Sequence, residues 1–235
     1  MKNKIALFIV AAMIAPSAFA AEISPYVGLG LVIDKAGTSA KRVGYDETTG
    51  NVLPNGGGDM KFDMAYAGEI TAGVKWGSVR GEIEVALRSA SEDGYNIYSK
   101  EMPPLGELSM DASTSVRHNS YLFNMYYDFE FQGSSWAPYI GAGIGVGSYR
   151  QLATLNLQAE GPMAAKLVGA TGLKLGDNTV ADNDLYRFEW QVGLGAAYNF
   201  NEDWAFDIGY RFNSSNVGGE FVYAHEVKMG IRYLF

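Results

Sequence analysis

Cysteine is absent from the 235-residue sequence, histidine occurs only twice, and 18 bases face 26 acids. Without cysteine there are no disulfides and no thiolate metal ligands. His118 and His225 alone define no zinc geometry, so no metal is expected. A formal charge of -8 argues against nucleic acid as a partner, because phosphate binding calls for a basic surface. Also missing is any run of the ~20 apolar residues that a membrane-spanning helix takes. An exported chain without such a helix can still cross a membrane if its strands close into a barrel, which pairs every backbone group between neighbours.

What is present begins with an export signal at 1–20. Lys2 and Lys4 precede an apolar run from Ile5 to Ala15, and Ala18-Phe19-Ala20 is a small-x-small cleavage site. Removing 1–20 takes away two lysines and no acid, leaving 21–235 with a charge of -10.

The remainder alternates at period two, the mark of strands with one apolar face. Val27, Leu29, Leu31 and Ile33 oppose Tyr26, Gly28, Gly30 and Asp34. Phe62 to Trp76 and Val79 to Arg88 follow, joined at Gly77-Ser78, a two-residue hairpin signal. Four further strands are expected at about 116–131, 138–149, 186–200 and 204–213, and an eighth at His225 to Phe235. The glycines at 141, 143, 145 and 147 share one face; with Val146 where a dinucleotide loop needs glycine, they fit the inward side of a narrow barrel, and no cofactor is implied.

Between these strands, polar stretches at about 36–61, 89–115, 150–184 and 214–224 read as outer loops, the third with room for a short helix near 162–168. They alternate with short turns. Such alternation predicts an eight-stranded antiparallel up-and-down transmembrane barrel, with aromatic girdles that include Trp76, Trp136, Tyr186, Trp204, Tyr233 and Phe235. A soluble lipocalin-like barrel is the rival; it would carry charge outside and apolar residues within.

The ending Lys228-x-Gly230-x-x-Tyr233-x-Phe235 is similar to the C-terminal assembly signal of bacterial outer-membrane proteins. Pro138-Tyr-Ile-Gly-Ala-Gly-Ile-Gly-Val-Gly147 and Asp207-Ile-Gly-Tyr-Arg-Phe212 resemble segments of the small OmpA-like and opacity-type surface-antigen barrels. The resemblance implies the outer membrane as location, its lipid and lipopolysaccharide and the barrel assembly machinery as partners, and a host or surface ligand at the loops. The peptidoglycan-anchoring role of full-length OmpA is not expected to carry over, since no such domain follows Phe235.

By parity, Glu69, Arg80, Glu82, Glu84, Arg187, Glu189, Asp207, Arg211, Glu226, Lys228 and Arg232 point inward. Buried unpaired, such charges cost several kcal/mol each, so an ion-pair network is expected, acting as a plug or as a gate around a narrow pore. His118-Asn-Ser120 has the His-x-Ser spacing of outer-membrane lipid A deacylases, yet parity turns the pair from lipid, where a lipid-cleaving site belongs; a solvated rim pair is the plain alternative. Asp182-Asn-Asp184 lacks the twelve-residue calcium-loop pattern, and Asn55-Gly-Gly-Gly-Asp59 lacks the Lys-Ser/Thr of a phosphate loop. The expectation is therefore a non-enzymatic surface antigen, adhesion or envelope-integrity protein, with a pore or a lipid hydrolase as alternatives. Deleting Phe235 is expected to lower the outer-membrane amount of the protein more than any loop deletion, as read by immunoblot of membrane fractions; equal amounts would refute the assembly role.

Overall fold

The structure, a computed structural model, describes residues 23–46, 51–53, 56–102, 106–159, 169, 172, 174–217 and 219–235. The signal at 1–20 and the short helix near 162–168 fall outside them. Eleven strands follow one another: β1 (Ile23–Thr38), β2 (Gly44–Asp46), β3 (Asn51–Leu53), β4 (Met64–Trp76), β5 (Val79–Arg88), β6 (Ala90–Met102), β7 (Gly106–Asp128), β8 (Trp136–Ala159), β9 (Gly176–Asn199), β10 (Trp204–Val217) and β11 (Glu220–Leu234). Strands β2 and β3 form a separate small hairpin. The others run antiparallel in the order β5-β4-β1-β11-β10-β9-β8-β7-β6, and β5 also pairs with β7. That last pairing closes the ring.

Strands β5 and β6 are two lengths of one path along β7, so the ring has eight staves. Ala86 pairs with Ser120 and Ala90 with Arg117, which leaves three residues on one side facing two on the other, a bulge. The interrupted ladder finds other partners. The Arg88 amide donates to Asn119 Oδ1 at 3.0 Å, the Ser89 amide to the Tyr66 carbonyl at 2.8 Å, and the Tyr66 amide to Ser89 Oγ at 3.0 Å. The extra residue shifts the alternation by one, so that Arg88 and then Ser91 and Asp93 are buried.

Polarity across the wall is inverted relative to a soluble barrel. Leu29 is 68% and Ile70 60% exposed, whereas Glu84, Glu189 and Glu226 are wholly buried. This excludes the lipocalin-like rival and makes the outer surface the lipid face. Short turns at Gly77-Ser78, 132–135 and 201–203 gather at one end, where Gly77 takes the left-handed conformation that lets β4 fold straight back into β5. In barrels of this kind the short-turn end is periplasmic.

The stretches expected as loops at 89–115, 150–184 and 214–224 are instead largely hairpin arms. β6 pairs with β7 as far as Met102–Gly106, β8 with β9 as far as Leu157–Gly176, and β10 with β11 as far as Val217–Glu220. Within 36–61, β2 and β3 add a small hairpin. Alternation persists in these arms with its phase reversed: on β7, Tyr121, Phe123 and Met125 face out below, whereas above it is Ser109, Asp111, Ser113 and Ser115 that share their side of the strand. The opposite side there carries Leu108, Met110, Ala112 and Val116. Once a strand leaves lipid, water takes over the outer face and apolar side chains turn to the concave one. Phe62 also departs from expectation: it precedes β4 and is buried rather than lipid-facing.

The inward glycines make room for their neighbours. A Cβ at Gly143 would fall on Asn124 Oδ1 and one at Gly141 on the Tyr126 ring, whereas Gly68 has nothing within 4 Å. Overpacking of this kind costs ~1–3 kcal/mol. Gly143→Val is expected to reduce the heat-modifiable band on unboiled gels severalfold while Gly68→Ala leaves it unchanged; two equal bands would show that the lumen has slack at Gly143.

Candidate functional site: the charged lumen and the vestibule above it

The lumen is filled by side chains from every stave, in three tiers. At the periplasmic end, Arg80 Nε donates to Asp128 Oδ2 at 2.8 Å, with its guanidinium 4.7 Å from the Tyr126 ring centroid and 5.0 Å from that of Tyr139. Arg232 lies 3.6 Å from Asp207 and 5.2 Å from the Tyr26 ring, and Tyr26 donates its hydroxyl to Glu82 at 2.8 Å. Rings and cations therefore stack into a cross-section held by both charge and cation–π attraction.

In the middle tier, Lys228 donates to Glu69 at 2.7 Å. Arg211 donates to Glu84 at 2.8 Å and Nε to Glu226, and stands 3.1 Å from Glu69. Asn124 donates to Glu84 at 2.8 Å, and Gln191 donates to Asn124 at 2.7 Å. In the upper tier, Arg88 donates to Asp34 at 2.9 Å, to Ser120 at 2.7 Å and to Glu226. Glu189 accepts from Ser120 at 2.7 Å and from Asn213, and meets His118 Nε2 at 2.7 Å. His118 in turn stacks on Tyr149, 4.3 Å between centroids and 4° from parallel.

Ten of the eleven inward charges expected from sequence lie in these tiers. Arg187 does not: half-buried, it donates to the adjacent Tyr186 carbonyl. Parity also turned Arg88 inward, although it was not counted with the network. Asp34 and Asp128 were further omissions: parity put both on the inward face, Asp34 beside the stretch at 36–61 and Asp128 beside the turn at 132–135, but neither was counted with the network. With them, eight carboxylates (Asp34, Glu69, Glu82, Glu84, Asp128, Glu189, Asp207, Glu226) share the lumen with five bases (Arg80, Arg88, Arg211, Lys228, Arg232), a surplus of three acids. Between the tiers the described residues enclose spaces of about 30 and 10 Å³, the size of single waters.

His118 and Ser120 are not a solvated rim pair, and their geometry does not support a hydrolase. Ser120 is wholly buried, accepts from Arg88 and donates to Glu189. Ser120 Oγ at 3.2 Å and Glu189 at 2.7 Å meet the same nitrogen, Nε2 of His118, whereas a Ser-His-carboxylate relay needs hydroxyl and carboxylate on opposite ring nitrogens. His225 faces outward and meets the Tyr210 hydroxyl, far from any partner role with His118. Asp182 pairs with Arg150 at 3.2 Å.

Above the upper tier the lumen opens into a vestibule of about 330 Å³. Its floor is Asp34, Arg88 and His118, and its walls are inward residues of the hairpin arms together with Met60 and Phe62. The segment after β1 is tied to β6 across the mouth: Arg42 Nε donates to Asp93 at 2.9 Å and its guanidinium lies 4.9 Å from the Tyr95 ring. That bond to Asp93 raises the Arg42 pKa above its ordinary value.

A family model described as outer membrane protein beta-barrel domain matches residues 5–235. The chain belongs to this family. It is a bacterial outer-membrane barrel, as the resemblance of its last hundred residues to small surface-antigen barrels implied. Among solved structures it is similar to Neisserial surface protein A (17% identity, 92% of this chain and 100% of that chain, TM-score 0.48). It is also similar to the outer membrane protein OprG from Pseudomonas aeruginosa (14% identity, 91% and 97%, TM-score 0.46). A third is Ail, the attachment invasion locus protein of Yersinia pestis (11% identity, 92% and 100%, TM-score 0.43), crystallised with the heparin analogue sucrose octasulfate. No curated protein sequence matches.

Arg211 touches three carboxylates, so Arg211→Met would leave Glu84 and its neighbours buried without their main counter-ion, a loss of ~3–5 kcal/mol for broken buried pairs. The expected outcome is a lower urea midpoint for the barrel refolded in lipid vesicles; an unchanged midpoint would mean that the lumen is wet enough to screen these charges.

Proposed function

We propose that this protein is a non-enzymatic surface-binding barrel whose recognition element is the part standing above the membrane and whose lumen is held shut by its ion pairs. The observation that carries the reading is the sheet formed by the upper arms of β6, β7, β8 and β9. β7 continues unbroken from Asp128 to Leu108 against β8. β10 stops pairing with β9 at Glu189, so the arm of β9 from Gly176 to Phe188 pairs only with β8 among the described residues. On the other side, β6 is joined to the rest through Glu92, which accepts from the Asp63 amide, and through Asp93 and Tyr95, which meet Arg42 and the Val43 amide.

A four-stranded sheet raised on a rigid barrel, with the β9 edge unpaired by a further strand among the described residues, is suited to binding a macromolecular partner along that edge or across its polar outer face. Charged edge residues such as Glu92, Lys100, Glu101, Asp177 and Asp184 guard it against casual pairing with other strands. The tiers of paired charge support closure of the lumen. Their surplus of three acids favours the second reading in one form only, a narrow path for cations.

Replacing 154–179 and 94–113 by two-residue turns is expected to leave a heat-modifiable barrel and to abolish binding of whole cells to host matrix or epithelial surfaces. Unchanged adherence would remove the recognition role from these arms. In planar bilayers the intact protein is expected to show no reproducible conductance; steady cation-selective steps would replace the plug with a pore.

A further inference from the structure

The vestibule is unlike the lumen beneath it. Below, inward positions carry Arg, Glu and Tyr that meet across the axis; above, they carry Ala36, Ala65, Ala153, Ala181 and Ala224, whose short side chains leave the space open. Val116, Leu185 and Val222, with Met60 and Phe62 from the segment before β4, complete a largely apolar wall. About 330 Å³ falls within the ~300–1,000 Å³ of small-molecule sites. An apolar wall with a few convergent polar groups at one end is the usual build of such a site.

The charge of that end selects the ligand. Asp34 lines the floor, and Glu226 and Glu189 stand directly behind it, bonded to Arg88 and His118, whereas Glu220 lines the rim at the tip of β10 and β11 and accepts from Ser39. Three carboxylates thus gather at the floor around Arg88, whose donors are already given to Asp34, Ser120 and Glu226, with Arg211 as the second partner of Glu226 from below. The Arg42–Asp93 pair across the mouth is self-neutralising, Arg211 is shared among Glu226, Glu69 and Glu84, and Lys35, on the outer face of β1, gives its ammonium to the Phe62 carbonyl. An anionic head would meet carboxylates and a guanidinium without free donors. A cationic head would meet the carboxylate of Asp34, which has one hydrogen-bond donor, Arg88, with the face of Tyr149 and the ring of Phe62 nearby.

We infer that the vestibule is a binding site for a small amphiphile with an apolar body and an ammonium head, the head seated on the floor at Asp34 and the body against the alanine-rich wall. The site stands independently of the macromolecular recognition proposed for the upper sheet, since its residues face the concave side and that sheet is recognised by its edge and outer face.

The test uses three probes of one shape: 4-phenylbutylamine, 4-phenylbutanol and 4-phenylbutyrate, titrated by calorimetry and by NMR into the full protein in phosphatidylcholine nanodiscs, with empty nanodiscs subtracted. The amine is expected to bind saturably at one site, at least tenfold more tightly than the alcohol, with no saturation by the butyrate. Ala224→Trp, which fills the wall, is expected to abolish binding, and Asp34→Asn to weaken the amine severalfold while changing the alcohol far less. Where Ala224→Trp fails the heat-modifiability check, Ala153→Phe at the upper wall serves instead. Equal binding of all three probes, preference for the butyrate, absence of saturation by any probe, or amine binding that survives a folded wall-filling variant would each overturn the inference.

Discussion

Glu226 is held between two guanidinium groups, Arg88 from β5 and Arg211 from β10, and the rest of the lumen is arranged around that contact. A membrane barrel has no apolar core to collapse upon; its outer surface is in lipid whichever way the strands slide. What fixes the register is the requirement that buried charges find partners, because an unpaired one costs several kcal/mol and a one-residue slip would carry a whole face of them outward. Arg211 continues the chain to Glu69 and Glu84, and Arg88 to Asp34, so β1, β4, β5, β10 and β11 are pinned together by a handful of bonds. Those strands include both that meet where the chain closes on itself, β1 and β11.

The same strands serve two solvents. In the spanning part the lipid takes the apolar face and the charges go in; above it water takes the outer face and the apolar residues go in. Strand β7 passes through this change without a break in its pairing to β8, so the reversal is written in side chains alone. It marks the outer limit of the lipid at about His118 to Ser120. It also explains why the charge-filled part and the open vestibule adjoin: where inner residues need not neutralise one another, they can be small.

The spanning barrel was legible in the sequence because the alternation there is strong on both faces: Tyr121, Phe123 and Met125 against Ser120 and Asn124 leaves no ambiguity. The inward parity of Glu84, Arg211 and Glu226 followed from the same count. The upper arms were not legible as strands, since Ser, Thr and Ala are weak markers and the phase of Leu108 to Val116 runs opposite to the strand it continues. A count that allowed the phase to reverse would have recovered them. Other matters lay beyond any count. That Glu189 and Ser120 would share one nitrogen of His118 depends on the approach of β9 to β7 across the lumen, which no spacing along one strand encodes.

The bulge at Ser89 and Asn119 does more than take up a residue. Below it, each position answers to the lipid outside and the ion pairs inside; above it, the count starts afresh. The joint therefore separates two sets of sequence demands on a single stave, much as a coupling lets two shafts turn at different phases. The β6 arm can change length, composition or partner while Arg88 and everything beneath it keep their places, which is what a scaffold requires if its exposed part is to diversify faster than its embedded one.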